Sequence, residues 1–201
     1  MSAEDFHLSA AAERNKTAIF SRLRKYLVLE DLVLEIGSGT GQHARYFSEL
    51  APFIKWLPTD LDEKTSLLNA YLKDSATKNI YPAIQLDVSE TPWPQETLSC
   101  STIYTANTFH IMALDKVQAF WRNLSQLKSC YKVIVYGPFT YNGEYTSESN
   151  KTFDYQLKAY DPDRGIRAFE DIDAMAEAAG FKLLHDHKMP ANNQLIIWFK
   201  P

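Results

Sequence analysis

The run "VLEIGSGTGQHA" (residues 33–44) joins an apolar strand-like segment to a helix-like one through Gly37, Gly39 and Gly41. Glycine reaches positive φ and lets backbone approach a neighbour closely, and the free N–H groups of the next helix start gather beside such a turn. A strand that enters a helix this way belongs to an α/β chain. The remaining sequence obeys the same grammar: strand-like and helix-like segments alternate, with no internal repeat, low-complexity tract or linker. That pattern points to a parallel sheet covered by helices.

Helices are expected over residues 10–27, 41–50, 64–73, 113–127, 151–160 and 169–179. Strands are expected over 32–36, 54–60, 80–88, 98–107, 132–139, 181–187 and 194–200. Pro58 weakens the second strand, because proline cannot donate to a ladder. Leu114, Val117, Phe120, Trp121, Leu124 and Leu127 recur at helical spacing and read as core. Only residues 188–193 separate the last two strands, too few for a helical crossover, so that pair should be antiparallel. The expected fold is one α/β, Rossmann-like domain over residues 1–201. It has a seven-stranded, mostly parallel sheet, an antiparallel C-terminal hairpin and helices on both faces. This is the layout of class I S-adenosylmethionine (SAM)-dependent methyltransferases. A dinucleotide-binding domain usually continues with parallel strands and a separate substrate domain.

Bulk properties narrow the partners. The chain has 201 residues, 45% of them hydrophobic, and a net charge of −4. It lacks a Lys/Arg-rich run, which argues against duplex nucleic acid and membrane surfaces as partners; transfer RNA or a local basic groove stays open. Cys100 and Cys130 follow no metal spacing and read as free thiols in a reducing compartment. The start, "MSAEDFHLSAAAERN", has no apolar signal core, and no apolar stretch approaches the ~20 residues that span a bilayer. A soluble cytoplasmic protein is expected. No sequence feature fixes an oligomeric state.

The glycine turn admits two ligands. Gly39-x-Gly41-x-x-Ala44 fits the dinucleotide fingerprint. Glu35-x-Gly37-x-Gly39-x-Gly41 fits the first motif of SAM methyltransferases. Glu35 separates them: a carboxylate in a buried strand needs a positive or hydrogen-bonding partner. It would repel pyrophosphate and attract an α-ammonium; the plainer alternative is a structural Glu bonded to nearby N–H groups. Asp60, at the end of the second strand, suits ribose hydroxyls in either cofactor. Asp87, at the end of the third, suits an adenine amino group, or else is a turn acid. Ser38, Leu61 and Val88 neighbour these positions. Asp62 reads as a cap of the next helix.

Other stretches carry a resemblance: "AAERN" (11–15), "TDLD" (59–62), "ANTFHI" (106–111), "YGPF" (136–139), "SNKTFD" (149–154), "DPDRGIR" (161–167) and "MPANN" (189–193). With the glycine motif, they resemble the methyltransferase-like group of unknown function that includes methyltransferase-like protein 26 and many bacterial members. The resemblance covers nearly the whole chain. It implies a class I methyltransferase fold with SAM as cofactor, and no defined substrate.

Ligands of open α/β sheets bind at the carboxyl ends of the strands. Asn107, Phe109 and His110 follow the fourth strand and should face the transferred methyl group, with His110 as candidate base. His43, one turn into the loop helix, would bind cofactor or close the site, while His7, His185 and His187 look incidental. Tyr136, through its hydroxyl the second catalytic candidate beside His110, and Phe139 could line an acceptor pocket, beside the aromatic group Tyr141, Tyr145, Phe153, Tyr155 and Tyr160. Arg14, Asn15, Asn150, Arg167, Asn192 and Asn193 are polar residues of the matching stretches and candidate acceptor contacts, or else loop hydrogen-bonders, with Asn192-Asn193 as a turn between the last strands; two arginines near a pocket suggest an anionic acceptor. "TANTFH" stands where enzymes acting on planar amino nitrogens carry Asp/Asn-Pro-Pro-Tyr/Phe, and no metal cluster is apparent. The expected function is SAM-dependent methyl transfer to a small molecule. The alternatives are a non-catalytic SAM-binding regulator and an NAD(P)-binding oxidoreductase.

Overall fold

Side-chain alternation in the strands builds two cores. In β1 (Leu32–Ile36), Val33 packs to one face, while Leu34 and Ile36 pack to the other. A computed structural model describes residues 8–75 and 77–201, apart from the side chain of Asp62. His7 and the capping role of Asp62 therefore lie outside the described residues.

The other elements follow as α1 (Ala10–Leu23), α2 (Gln42–Leu50), β2 (Lys55–Asp60), α3 (Asp62–Lys73), β3 (Ile84–Gln85), β4 (Thr102–Ala106), α4 (Leu114–Leu124) and β5 (Lys132–Gly137). After these come β6 (Phe139–Tyr141), β7 (Glu144–Tyr145), α5 (Glu148–Tyr160), β8 (Arg167–Ala168), α6 (Phe169–Ala178), β9 (Lys182–Met189) and β10 (Asn193–Phe199). The main sheet has the order β3-β2-β1-β4-β5-β10-β9. It is parallel through β5, while β10 runs antiparallel to both β5 and β9. Helices α1–α3 cover one face through Ile19, Phe47 and Leu68, over Val33, Tyr104 and Ile134. Helices α4 and α6 cover the other through Phe120, Trp121 and Ile172, over Leu34, Ile103 and Trp198. Trp121 meets Trp198 edge-on at 5.3 Å between centroids.

Several boundaries differ from expectation for local reasons. Helix α1 stops at Leu23, where Lys25 and Tyr26 donate to the carbonyls three residues back. Leu27 stays buried outside the helix, which is why the apolar pattern ran past the helix end. The third strand shrinks to Ile84–Gln85 plus a bridge from Ile80 to Trp56. Asn69 of α3 takes over the backbone N–H and C=O of Ala83. Pro58 is tolerated because Trp56 donates its N–H toward this outer segment; two residues on, the missing proline N–H falls opposite the stretch where β3 has broken away. Leu98 lies in a 3₁₀ helix, Gln95–Ser99, ahead of β4. Phe139–Tyr141 leaves the main sheet for a small sheet of order β7-β6-β8, which the expectation omitted.

Candidate active site

The glycine turn sits at the carboxyl end of β1. Gly37, Gly39 and Gly41 all take positive φ. Ser38 N–H donates to the Thr59 carbonyl at 2.8 Å, and Gly39 N–H to Asp60 Oδ2 at 2.6 Å, which ties the turn to β2. The three glycines serve different ends. A Cβ on Gly37 would meet Thr108 Cγ2 at 2.8 Å, and one on Gly41 would meet Leu68 Cδ1 at 2.5 Å. A Cβ on Gly39 would meet nothing within 4 Å and would project into open space. Gly41 lines neither lobe of the cleft described next; sequence expectation set it against a ligand, but its closeness serves the packing of α3.

The cleft has two lobes that share Gly37, Gly39, Ala106, Asn107 and Ile111. The smaller, about 260 Å³, is walled by Asp60, Leu61, Asp87 and Val88, with Lys64 and Lys116 at its side. Lys64 Nζ lies 3.6 Å from Asp60 Oδ1 and Lys116 Nζ lies 2.9 Å from Asp87 Oδ2. Asp87 also accepts from the N–H and hydroxyl of Ser89, so it is a turn acid as well as a lobe wall. These bonds and Lys116 hold its carboxyl below the usual range despite burial.

The larger lobe, about 840 Å³, lies on the α1 side. Glu35 points there because it alternates with Leu34 and Ile36, and it is 2% exposed. Its Oε2 accepts from Ser38 Oγ and Trp56 Nε1, both at 2.9 Å. Among the described residues no hydrogen bond reaches Oε1; His43 Nδ1 lies 4.0 Å from it. Burial pushes the Glu35 carboxyl up to about 7, against the two hydrogen bonds and with help from Asp60. His43 stacks on Phe47, and its Nε2 lies 2.7 Å from Asn15 Oδ1. An amide oxygen only accepts, so Nε2 carries the proton and Nδ1 takes the Tyr104 hydroxyl at 3.3 Å. Burial lowers His43 to about 4, and the ring is neutral at pH 7.

The same lobe is lined by Arg14 and Asn15 from α1, His110 after β4, Tyr136 at the end of β5, Asn150 and Phe153 of α5, and Asn193. His110 is 5% exposed and meets Phe153 edge-on at 5.3 Å. Among the described residues no hydrogen bond reaches either ring nitrogen. Burial, with Arg167 and Arg164 nearby, lowers His110 to about 4. Its position is fixed by backbone: Gly165 N–H donates to its carbonyl at 3.0 Å.

Four expected acceptor contacts fall elsewhere. Phe109 turns into the core against Phe120 at 5.3 Å, and Phe139 is buried in the same cluster. Arg167 spends its guanidinium on the carbonyls of Phe109, Met112 and Asp163, bracing the loop that carries His110. Asn192 lies outside the lobe with its amide on Ser149, while Asn193 beside it lines the wall. In the aromatic group, Phe153 alone lines this lobe; Tyr141 and Tyr145 donate to Asp186 and Asp154, and Tyr155 and Tyr160 are exposed. Sequence reading missed Lys64, Lys116 and Trp56, and also Gln42. The Gln42 amide joins the backbone of Ser9 to the side chain of Glu13, pinning α1 over the glycine turn. The one available signal was Trp56: an indole N–H in a buried strand must find an acceptor.

Residues 6–200 match the model of a family described as a protein of unknown function, DUF938. The chain belongs to this family. Solved structures add the fold. Human N-acetylserotonin methyltransferase in complex with SAM is 17% identical, with a TM-score of 0.75 over 94% of this chain and 52% of that one. The SAM-dependent methyltransferase SibL, in its apo form, is 14% identical, with a TM-score of 0.77 over 96% and 56%. CalO1, a methyltransferase of calicheamicin biosynthesis in its SAH-bound form, is 12% identical, with a TM-score of 0.75 over 95% and 54%. The fold is thus the Rossmann-like methyltransferase fold, and the chain spans little more than half the length of these relatives. Among the described residues no helix is long and apolar enough to cross a membrane.

Proposed function

We propose that the protein is a SAM-dependent methyltransferase acting on a small molecule, with its 201 residues working as one cytoplasmic catalytic unit in the methyltransferase-like group its motifs resemble. One observation carries the reading. Glu35 and Asp60, near the carboxyl ends of β1 and β2, and Asp87, two residues past β3, wall two joined lobes, and Gly39 leaves room where a side chain would intrude.

The donor set fits the cofactor. Asp60 and Asp87 offer carboxylate oxygens for ribose hydroxyls and an adenine amino group, with Leu61 and Val88 as apolar edges. Glu35 Oε1 can receive an α-ammonium, and a pyrophosphate beside it would be repelled. Gly37 and Asn107 line both lobes and Ser38 lines the larger, and His43 holds α1 over them through Asn15. SAM, when bound, supplies an electrophilic methyl group on a sulfonium. The chain's own task is to align an acceptor and exclude water. His110, neutral and free at its ring nitrogens, can take a proton from the acceptor. Tyr136, with Asn15, Asn150 and Asn193, orients it. Incubation with methyl-labelled SAM and a metabolite extract should label a small molecule, and Asp60→Ala and His110→Ala should each abolish the label. A label confined to protein or RNA, or none at all, would refute the reading.

A further inference from the structure

The larger lobe has an uneven set of polar groups. Among the described residues, Arg14 is the only Lys or Arg that lines it, and Glu35, by the glycine turn, is the only acid. The guanidinium of Arg14 makes no ion pair among the described residues. Its nearest acidic neighbour on α1, Glu13, is taken by Lys16 and Gln42. Tyr136 adds a second donor. It is buried in the lobe wall, and burial pushes its phenol up, so at neutral pH it keeps its proton to donate into the lobe. The complementary groups are acceptors. Asn150 spends its amide N–H groups on Thr146 and the Asn192 carbonyl, and among the described residues no donor reaches its Oδ1. One ring nitrogen of neutral His110 is also an acceptor. Phe153 and Pro138 give the lobe an apolar wall.

We propose that this lobe binds a small carboxylic acid that also carries a hydroxyl or amine, its carboxylate on Arg14 and Tyr136 and its X–H group toward Asn150 and His110. A single guanidinium matches a monoanion by a paired, charge-assisted contact. A phosphate monoester would bring a second charge with no partner. The proposal deepens the methyl-transfer reading and rests on it for the statement that this acid is the methyl acceptor; binding itself is measured independently.

The test is ligand-observed NMR on the full chain with matched probes: 4-hydroxybenzoate, 4-hydroxybenzamide and phenyl phosphate, each with and without S-adenosylhomocysteine. The acid should bind about tenfold or more tightly than its neutral amide. Arg14→Gln, on an exposed helical position, should erase that preference, and Tyr136→Phe should reduce it. Equal binding of acid and amide, no binding of the acid, tighter binding of phenyl phosphate, or a preference that survives Arg14→Gln would overturn the proposal. Failure of S-adenosylhomocysteine to bind in the same samples would count against the methyl-transfer reading instead, leaving the acid preference to be judged by its own arms.

Discussion

Replacing Glu35 by Gln should make the protein more stable and a worse binder of its cofactor. The substitution keeps the shape and an oxygen able to accept from Ser38 and Trp56, and removes only the charge. In the fold the carboxyl is pushed from 4.5 up to about 7 by burial. The folded state therefore binds more protons than the unfolded chain between those values, and stability falls as pH rises through that window. At 1.36 kcal/mol per pH unit, full ionisation costs about 3 kcal/mol above pH 7. Glu35→Gln should thus exceed the parent by no more than about 1 kcal/mol at pH 5 and by about 3 kcal/mol at pH 8, the latter about 6–12 °C in Tm for a chain of this size. The same variant loses the partner of an α-ammonium, weakening S-adenosylhomocysteine by about 10–100-fold. Differential scanning calorimetry at pH 5 and pH 8, with and without the ligand, reads both effects. A variant less stable than the parent at pH 8, with unchanged ligand affinity, would show that Glu35 is a structural hydrogen-bonding group and would refute the reasoning.

Other perturbations separate the roles of neighbouring residues. Gly41→Ala, which meets Leu68 at 2.5 Å at a φ of +74°, should cost about 1–3 kcal/mol in chemical denaturation while ligand affinity is kept. Gly39→Ala should cost less stability, since its Cβ clashes with nothing, and should lower affinity for S-adenosylhomocysteine in a titration. Arg167→Ala removes donors to three carbonyls and should cost about 2–4 kcal/mol, with faster amide exchange in residues 108–112 as the local sign. His110 and His43, both lowered to about 4, bind fewer protons folded than unfolded, so their contribution to stability is lost as pH falls from about 6.5 to about 4. An NMR titration that finds either ring charged at pH 6 would contradict that assignment.

Long-range order was the legible part. Alternating strand-like and helix-like runs, and a spacer of six residues before the last strand, suffice for the seven-stranded sheet with its antiparallel end. The placing of Glu35, Asp60 and Asp87 on the cleft was legible because each lies at or within two residues of a strand's carboxyl end, and those ends share one rim. Short elements were not. Strands of two or three residues, such as Glu144–Tyr145 and Arg167–Ala168, leave no periodic trace. Nor does sequence give direction at a turn: Phe109 and His110 are adjacent, yet one enters the core and the other the cleft. Arg167 resembled an anion binder because its type fits that role; only the fold reveals three backbone carbonyls that use its guanidinium first. Gly41 misled similarly, since a motif records that close approach is needed and not whether a ligand or a leucine comes close.

Isothermal titration calorimetry with S-adenosylhomocysteine, run beside NADH and repeated on Asp60→Ala, tests the central claim most directly. The account predicts micromolar binding of S-adenosylhomocysteine, none of NADH, and a loss of at least about tenfold in Asp60→Ala. Binding of NADH in its place, or no heat from S-adenosylhomocysteine at millimolar concentration, would contradict it.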